Sequence, residues 1–343
     1  VQLSPSAHAD TFCRDNLPPP DQWPDLDLDL AGLTYPDRLN AADMLLDVTM
    51  AAHGAGRRCL LSPTGTWTYG DVAARASQIA RVLTEDLGLV PGNRVLLRGP
   101  NNPWLAVCWL GVLKAGGVAV TTMPMLRTAE LTGICDIARV GLALCDHRFT
   151  EELAGVPGVR IVPFGGTGAD DLSTRAAAKP AAFSTVRTAA DDVAIIAFTS
   201  GTTGRPKAAM HFHRDLLATA DTYSALVLKP TPDDLFAGSP PLAFTFGLGA
   251  ELLFPLRAGA AALLLEKATP VELADAIAEY GVTIVSTAPT AYRAMLAAGK
   301  ADQLRALRSP FSAGEHLPES TWQAFYDATG VQIVDGIGST EML

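Results

Sequence analysis

Residues 199–207, Thr-Ser-Gly-Thr-Thr-Gly-Arg-Pro-Lys, concentrate more chemistry than any other stretch of this 343-residue chain. Gly201 and Gly204 let the backbone turn tightly and bring its N–H groups close to an anion. The hydroxyls of Thr199, Ser200, Thr202 and Thr203 add short donors, Lys207 adds a mobile positive charge, and Pro206 stiffens the exit. That set suits a polyphosphate. It is not a Walker loop, in which lysine directly follows the second glycine and Ser or Thr comes next. Here Arg205 and Pro206 intervene. The chain has no Gly-x-Ser-x-Gly elbow of a hydrolase and no Gly-x-Gly-x-x-Gly dinucleotide fingerprint.

The elements that must position this loop alternate between strand and helix. Val193–Phe198 reads as a buried strand before it, and His213–Leu226 as a helix after it. Upstream, Asn40 caps a helix that stops at Gly54, a hairpin spans Cys59–Tyr69, and Thr68 with Asp71 caps the next helix reciprocally. Strand Arg94–Leu97, helix Asn102–Ala115, strand Val118–Thr121, helix Thr128–Ala138 and strand Gly141–Cys145 follow. Downstream, strands near Ala261–Leu265, Thr283–Ser286 and Gln332–Asp335 are separated by helices Pro270–Tyr280, Pro289–Ala298 and Pro318–Thr329. Such alternation predicts an α/β fold with mostly parallel sheets covered on both faces. The expected division is an extended, Pro-rich segment 1–40, a first αβα subdomain at about 41–185 and a second, at about 186–343, that carries the loop, with room for the two subdomains to exchange elements. The aperiodic stretch 165–190 serves as the junction.

Composition narrows the function. Apolar content of 48% and charged content of 18% describe a globular protein. A net charge of −10 argues against general nucleic-acid binding but not against ATP, which needs only local positive charge. The apolar run Leu105–Leu113 is cut short by Lys114, too early for a membrane span. The N-terminal residues carry no secretory pattern, and a start at Val1 suggests trimming or renumbering. Five scattered cysteines without a Cys-x-x-Cys pair fit reduced thiols in a cytoplasm. His211 and His213 have no further ligands nearby and are assigned no metal.

The nine-residue loop resembles the phosphate loop of adenylate-forming enzymes: acyl- and aryl-CoA ligases, peptide-synthetase adenylation domains and firefly-type luciferases. Ala208 stands where that family usually has Gly. Three further segments share the likeness: Leu113-Lys-Ala-Gly-Gly-Val-Ala-Val120 with Met123-Pro124, Ser312-Ala-Gly-Glu-His-Leu-Pro318, and Asp335-Gly-Ile-Gly-Ser-Thr-Glu341. Their order and rough spacing agree with the family from about residue 40 onward. The resemblance implies the family's large N-terminal domain of two αβα subdomains. It also implies a reaction in two halves: a carboxylate attacks the α-phosphorus of ATP and expels pyrophosphate, and coenzyme A then displaces AMP.

Carried over to this sequence, Thr199, Ser200, Gly201, Thr202, Thr203, Gly204 and Lys207 cradle the β- and γ-phosphates. Thr340 bonds the α-phosphate and Glu341 ligates or orients Mg²⁺, a hard ion that prefers oxygen. Lys207, Thr340 and Glu341 are the expected catalytic groups. Gly314 and Glu315 border the adenine, Asp335 bonds its amino group, and Gly336 and Ile337 form its shelf, with Ile337 where tyrosine is usual. The acid pocket falls around Pro240–Gly247, with Phe244, Thr245, Phe246, Gly247 and Gly338 as its expected contacts. No acidic residue lies between Pro240 and Ala250, so an α-amino acid, whose ammonium needs one, is disfavoured.

The string Ala243–Gly249, with Asp15–Pro19 and Tyr35–Asn40, looks most like benzoate- and 2-aminobenzoate-CoA ligases. The implied partner is a small aromatic carboxylic acid, with no nucleic acid and no membrane, and the reading allows a homodimer. The alternatives are a domain activating an aryl acid for a carrier protein, a ligase for aliphatic acids, and a nucleotide- or acyl-AMP-binding fragment without turnover. Family members continue well past the Thr-Glu motif, through a ribose-binding aspartate and a mobile C-terminal domain with a catalytic lysine. The expectation is therefore an N-terminal portion of a longer enzyme, C-terminal domain absent, incomplete as a catalyst.

Overall fold

The computed structural model describes residues 3–23, 25, 32–199 and 206–343. Two sheets organise it. The first runs, edge to edge, Arg160–Phe164, Leu142–Asp146, Arg94–Arg98, Val118–Thr122, Val193–Thr199 and Lys207–Phe212, parallel except for the last strand. The second runs Val334–Asp335, Phe311–Ser312, Ile284–Thr287, Leu235–Gly238, Ala261–Leu263, Arg58–Ser62 and Gly65–Thr68, again parallel except for the last. This is the expected α/β architecture of mostly parallel sheets with helices packed on them.

The sheets exchange elements across position 185. The hairpin of Arg58–Ser62 and Gly65–Thr68 joins the second sheet through Ala261–Leu263, and Val193–Thr199 joins the first through Val118–Thr122. Local sequence cannot signal these partners, because each pairing joins segments far apart in the chain. The stretch 165–190 is not bare connection either, since Leu172–Ala177 forms a helix within it. Segment 1–40 contains a short helix, Phe12–Asp15. Arg14 pairs there with Asp191 at 3.4 Å and Asp192 at 3.1 Å, and Asp10 pairs with Arg94, so the segment is strapped to the first sheet.

The main core sits between the sheets. Helix Pro103–Lys114 buries all its residues except Trp104 and packs on helix Tyr69–Arg81. Gly111 makes that approach feasible, because a Cβ there would lie 2.7 Å from Ile79 Cγ2 and 3.1 Å from the Ala76 carbonyl oxygen. Thr68 caps Tyr69–Arg81 through the reciprocal bond with Asp71. Tyr69, fully buried, donates its hydroxyl to the Ala260 carbonyl at 2.8 Å and ties this layer to the second sheet. Lys114, 1% exposed, keeps its charge inside the core by pairing with Asp47.

Candidate active site

Four strands of the second sheet end on one side of a cavity of about 1370 Å³. Leu235–Gly238 leads into Ser239–Pro241 and Phe244–Phe246, Ile284–Thr287 into Ala288 and Thr290, Phe311–Ser312 into Ala313–Glu315, and Val334–Asp335 into Gly336–Leu343. The outer strand of the first sheet, through residues 208–212, and the helix after it supply the facing wall. Ligands of open α/β sheets bind at the carboxyl ends of strands because turns there leave backbone groups free to meet them.

Part of the cavity lining is aromatic. Phe244 starts the helical run 245–258 and is 42% exposed, while Phe246 packs its ring 5.8 Å from Phe311. Tyr223 lies 6.1 Å from Phe311 and 6.2 Å from Phe254. Its buried hydroxyl has no partner among the described residues, and burial, with Asp335 nearby, raises its pKa. A Cβ on Gly336 would sit 3.2 Å from that hydroxyl, so the glycine opens the space in front of it. Thr245, beside Phe246, lines the same wall. Gly247 faces backward instead, where a Cβ would lie 2.1 Å from the Pro241 carbonyl oxygen.

Sequence reasoning missed Tyr223, Phe254 and Phe311. Phe311 sits directly before the Ser312–Pro318 motif, which is the one signal that could have flagged it. Tyr223, on a helix behind the glycine-rich loop, reads as ordinary core.

The rest of the lining includes polar groups. The glycine-rich loop was expected to run from a strand into a helix, but an additional antiparallel strand, Lys207–Phe212, intervenes. Its Lys-Ala-Ala-Met start is only partly buried, which hides the strand alternation. Lys207 is exposed and pairs across from Thr199. Ser200, Gly201, Thr202, Thr203 and Gly204 lie outside the described residues. Gly314 takes φ +90°, a conformation suited to glycine. The Glu315 carboxylate accepts the Thr290 amide at 2.8 Å, and this bond holds its pKa below the usual range.

The Asp335–Glu341 segment is fastened at two points. Gly336 N–H donates to the Ser312 carbonyl at 2.8 Å, and His211 Nε2–H donates to the Thr340 carbonyl at 2.7 Å. His211 is 5% exposed, so the edge strand of the first sheet grips the motif of the second. Ile337 is 98% exposed, Asp335, Gly338 and Glu341 are exposed, and Thr340 is half-buried. Gly314, Glu315, Gly336, Ile337, Gly338, Thr340 and Glu341 border the cavity; Lys207, Thr199, Asp335 and Gly247 are not among the residues that line it. Among the described residues no group of three or more His, Cys, Asp or Glu side chains could hold a metal unaided. A lone exposed carboxylate such as Glu341 fits Mg²⁺, which keeps several waters and takes its remaining oxygens from phosphates.

Residues 46–343 match the family model described as AMP-binding enzyme. A benzoate–CoA ligase of Thauera aromatica is 33% identical over 320 residues, covering 91% of this chain and 60% of that protein. An anthranilate–CoA ligase of Pseudomonas aeruginosa is 30% identical over 277 residues, 79% of this chain and 52% of that protein. The solved structure of the anthranilate CoA ligase AuaEII in complex with anthranoyl-AMP matches with a TM-score of 0.84 at 29% identity, covering 90% of this chain and 61% of that one. The chain thus spans about 60% of the length of the benzoate–CoA ligase and of AuaEII. No helix among the described residues is long and apolar enough to cross a membrane.

Proposed function

The chain belongs to the AMP-binding enzyme family, and on that premise we propose that it builds the acid- and nucleotide-binding part of an ATP-dependent aryl-acid:CoA ligase acting on benzoate or 2-aminobenzoate. The observation that carries this reading is one cavity lined both by aromatic rings and by polar groups. Phe246, Phe311 and Tyr223 offer apolar contact to a benzoate-sized ring, and Gly336–Glu341 of the same lining offer polar groups to its carboxylate. No acidic side chain in 240–250 offers an ammonium a partner, and Glu251 just beyond is fully buried and bonded to Asn101. The unpartnered Tyr223 hydroxyl is free to meet a ring substituent such as an ortho amino group.

In the first half-reaction a carboxylate oxygen bonds the α-phosphorus of ATP and pyrophosphate leaves. In the second, the thiolate of coenzyme A attacks the acyl carbon and AMP leaves. The chain's part is electrostatic positioning, with donors fixed before charge develops. Lys207 and the loop hydroxyls neutralise the β- and γ-phosphates, and the Thr340 hydroxyl bonds the α-phosphate. Glu341 would hold Mg²⁺, which would spread the phosphate charge when bound. The His211–Thr340 bond keeps that hydroxyl's backbone fixed relative to the first sheet.

Lys207→Ala is expected to weaken MgATP by about 1.5–3 kcal/mol, the worth of one charge-assisted contact. Aromatic-acid affinity should stay the same. Calorimetric titration of both ligands checks this, and unchanged nucleotide affinity would remove Lys207 from the site. Phe246→Ala should cost aryl acids about 1–3 kcal/mol of transition-state binding through lost apolar contact. Its kcat/KM for benzoate, compared with that for acetate, is the readout; equal losses for both acids would argue against a ring contact. Release of free aryl-CoA, as opposed to loading of a carrier phosphopantetheine, separates a CoA ligase from a carrier-loading domain.

A further inference from the structure

Glu251 is 0% exposed, yet it sits at the start of the second turn behind the aromatic wall, and the reaction outlined above gives it no task. Burial pushes its carboxyl well above the usual carboxylate range, against a lowering by the Asn101 hydrogen bond. Its Oε2 accepts Asn101 Nδ2 at 3.0 Å. The same Asn101 amide nitrogen donates to the Pro240 carbonyl at 2.9 Å, and Asn101 Oδ1 accepts the Leu242 amide at 2.8 Å. Asn101, which precedes helix Pro103–Lys114 between the sheets, is therefore gripped by Glu251 on one side and grips the Pro240–Leu242 turn on the other.

That turn sets the acid-facing residues. The Pro241 carbonyl accepts the Phe244 amide at 3.0 Å and abuts Gly247, where even a Cβ would not fit. Phe244, Thr245 and Phe246 leave this point directly. The arrangement is also made room for: a Cβ on Gly238 would lie 2.7 Å from Glu251 Oε1 and 2.1 Å from Ser286 Oγ.

We propose that Glu251 and Asn101 form a buried positioning pair that fixes the Pro240–Leu242 turn, and through it the place of Phe244 and Phe246 against the bound acid. The pair touches neither substrate nor nucleotide. It acts on acid selection alone, because its bonds reach the turn before the aromatic helix and none reaches the Asp335–Glu341 segment. The acid-binding part of this inference rests on the function proposed above.

Three variants and two readouts test it on the protein carrying this chain. Glu251→Met fills the space without an acceptor, Glu251→Gln keeps an acceptor for Asn101, and Asn101→Ser shortens the grip if the methionine variant does not fold. Amide hydrogen exchange at Leu242, Phe244 and Leu248 reads the turn without any ligand; binding of benzoate and of MgATP reads the site. Glu251→Met is expected to lose protection at those amides and to weaken benzoate about tenfold or more while MgATP changes less than about twofold, and Glu251→Gln to restore both. Wild-type protection in Glu251→Met, or equal weakening of both ligands with protection lost throughout the second sheet, would overturn the pair. If wild type binds no aromatic acid but the exchange pattern follows the variants as expected, the aromatic-acid function fails and the positioning of the turn stands.

Discussion

Gly247→Ala is expected to cut kcat/KM for aromatic acids by about 10²-fold, the scale of a misplacement near 1 Å at reacting groups. The reason is space and not backbone conformation. The added Cβ would lie 2.1 Å from the Pro241 carbonyl oxygen, 2.5 Å from the Pro241 carbonyl carbon and 2.6 Å from the Pro240 carbonyl oxygen. All three are backbone atoms of a turn tied down by Asn101, so no side chain can swing away to absorb the contact. The first turn of the run 245–258 must move instead, carrying Phe246 off its 5.8 Å packing distance from Phe311. Overpacking of this kind also costs about 1–3 kcal/mol of stability. Gly249→Ala is the control, because its Cβ would meet Phe254 at 3.2 Å, a side-chain ring that can shift. Steady-state kinetics with benzoate and ATP should show the loss in Gly247→Ala, with little change in the KM for ATP. Wild-type kinetics in that variant would mean that the turn does not set the acid pocket.

Stability is expected to fall with pH through His213. This imidazole is fully buried behind the edge strand; its Nδ1 accepts the Ala41 amide at 3.1 Å and its Nε2 has no partner among the described residues. Burial, helped by His8, lowers its pKa from 6.5 to about 3. The unfolded chain therefore takes up this proton first. The stabilisation is complete above pH 6.5 and is lost progressively as pH falls toward 3, at about 1.4 kcal/mol per pH unit.

His8, also lowered mainly by burial, acts in the same direction. Burial alone would raise Asp192, but His8, the Ser6 hydroxyl and the Ala7 and Ala189 amides lower it on balance, so its contribution also disappears in acid. Glu251, its carboxyl raised by burial, opposes them, because its destabilising contribution shrinks as pH falls. His213→Asn separates these contributions, because an asparagine Oδ1 can accept the Ala41 amide without titrating. Urea unfolding from pH 7.5 to 5 should show wild type losing about 2 kcal/mol relative to the variant by pH 5. Parallel curves would mean that His213 is not buried neutral.

How much of this was legible in sequence depended on the range of the forces involved. Helices Thr128–Ala138 and Pro270–Tyr280 begin and end where their local signals place them, and the Thr68–Asp71 cap forms as its spacing predicts. These features rest on neighbours a few residues apart. The strand Lys207–Phe212 was not legible, because its alanines and half-exposed start lack the β-branched alternation of a strand and its pairing comes from Val193–Thr199. The helix entered at Thr245 was hidden too, since Phe-Gly-Leu-Gly reads as a turn until Pro241 and Phe244 fix its first bonds. The family resemblance led to Phe246, Gly336 and Thr340, and all three border one cavity. Tyr223 and Phe254 reach that place only through tertiary packing, and a single sequence carries no mark of it.

The most direct test of the proposed activity is ATP–pyrophosphate exchange by the protein carrying these residues, driven in turn by benzoate, 2-aminobenzoate, acetate, a long-chain fatty acid and phenylalanine. Exchange reads the first half-reaction alone, so it needs no thiol. The account predicts exchange with benzoate or 2-aminobenzoate well above that with the other three acids, and its loss in Gly247→Ala. Equal exchange with acetate and benzoate, or exchange driven best by phenylalanine, would contradict it.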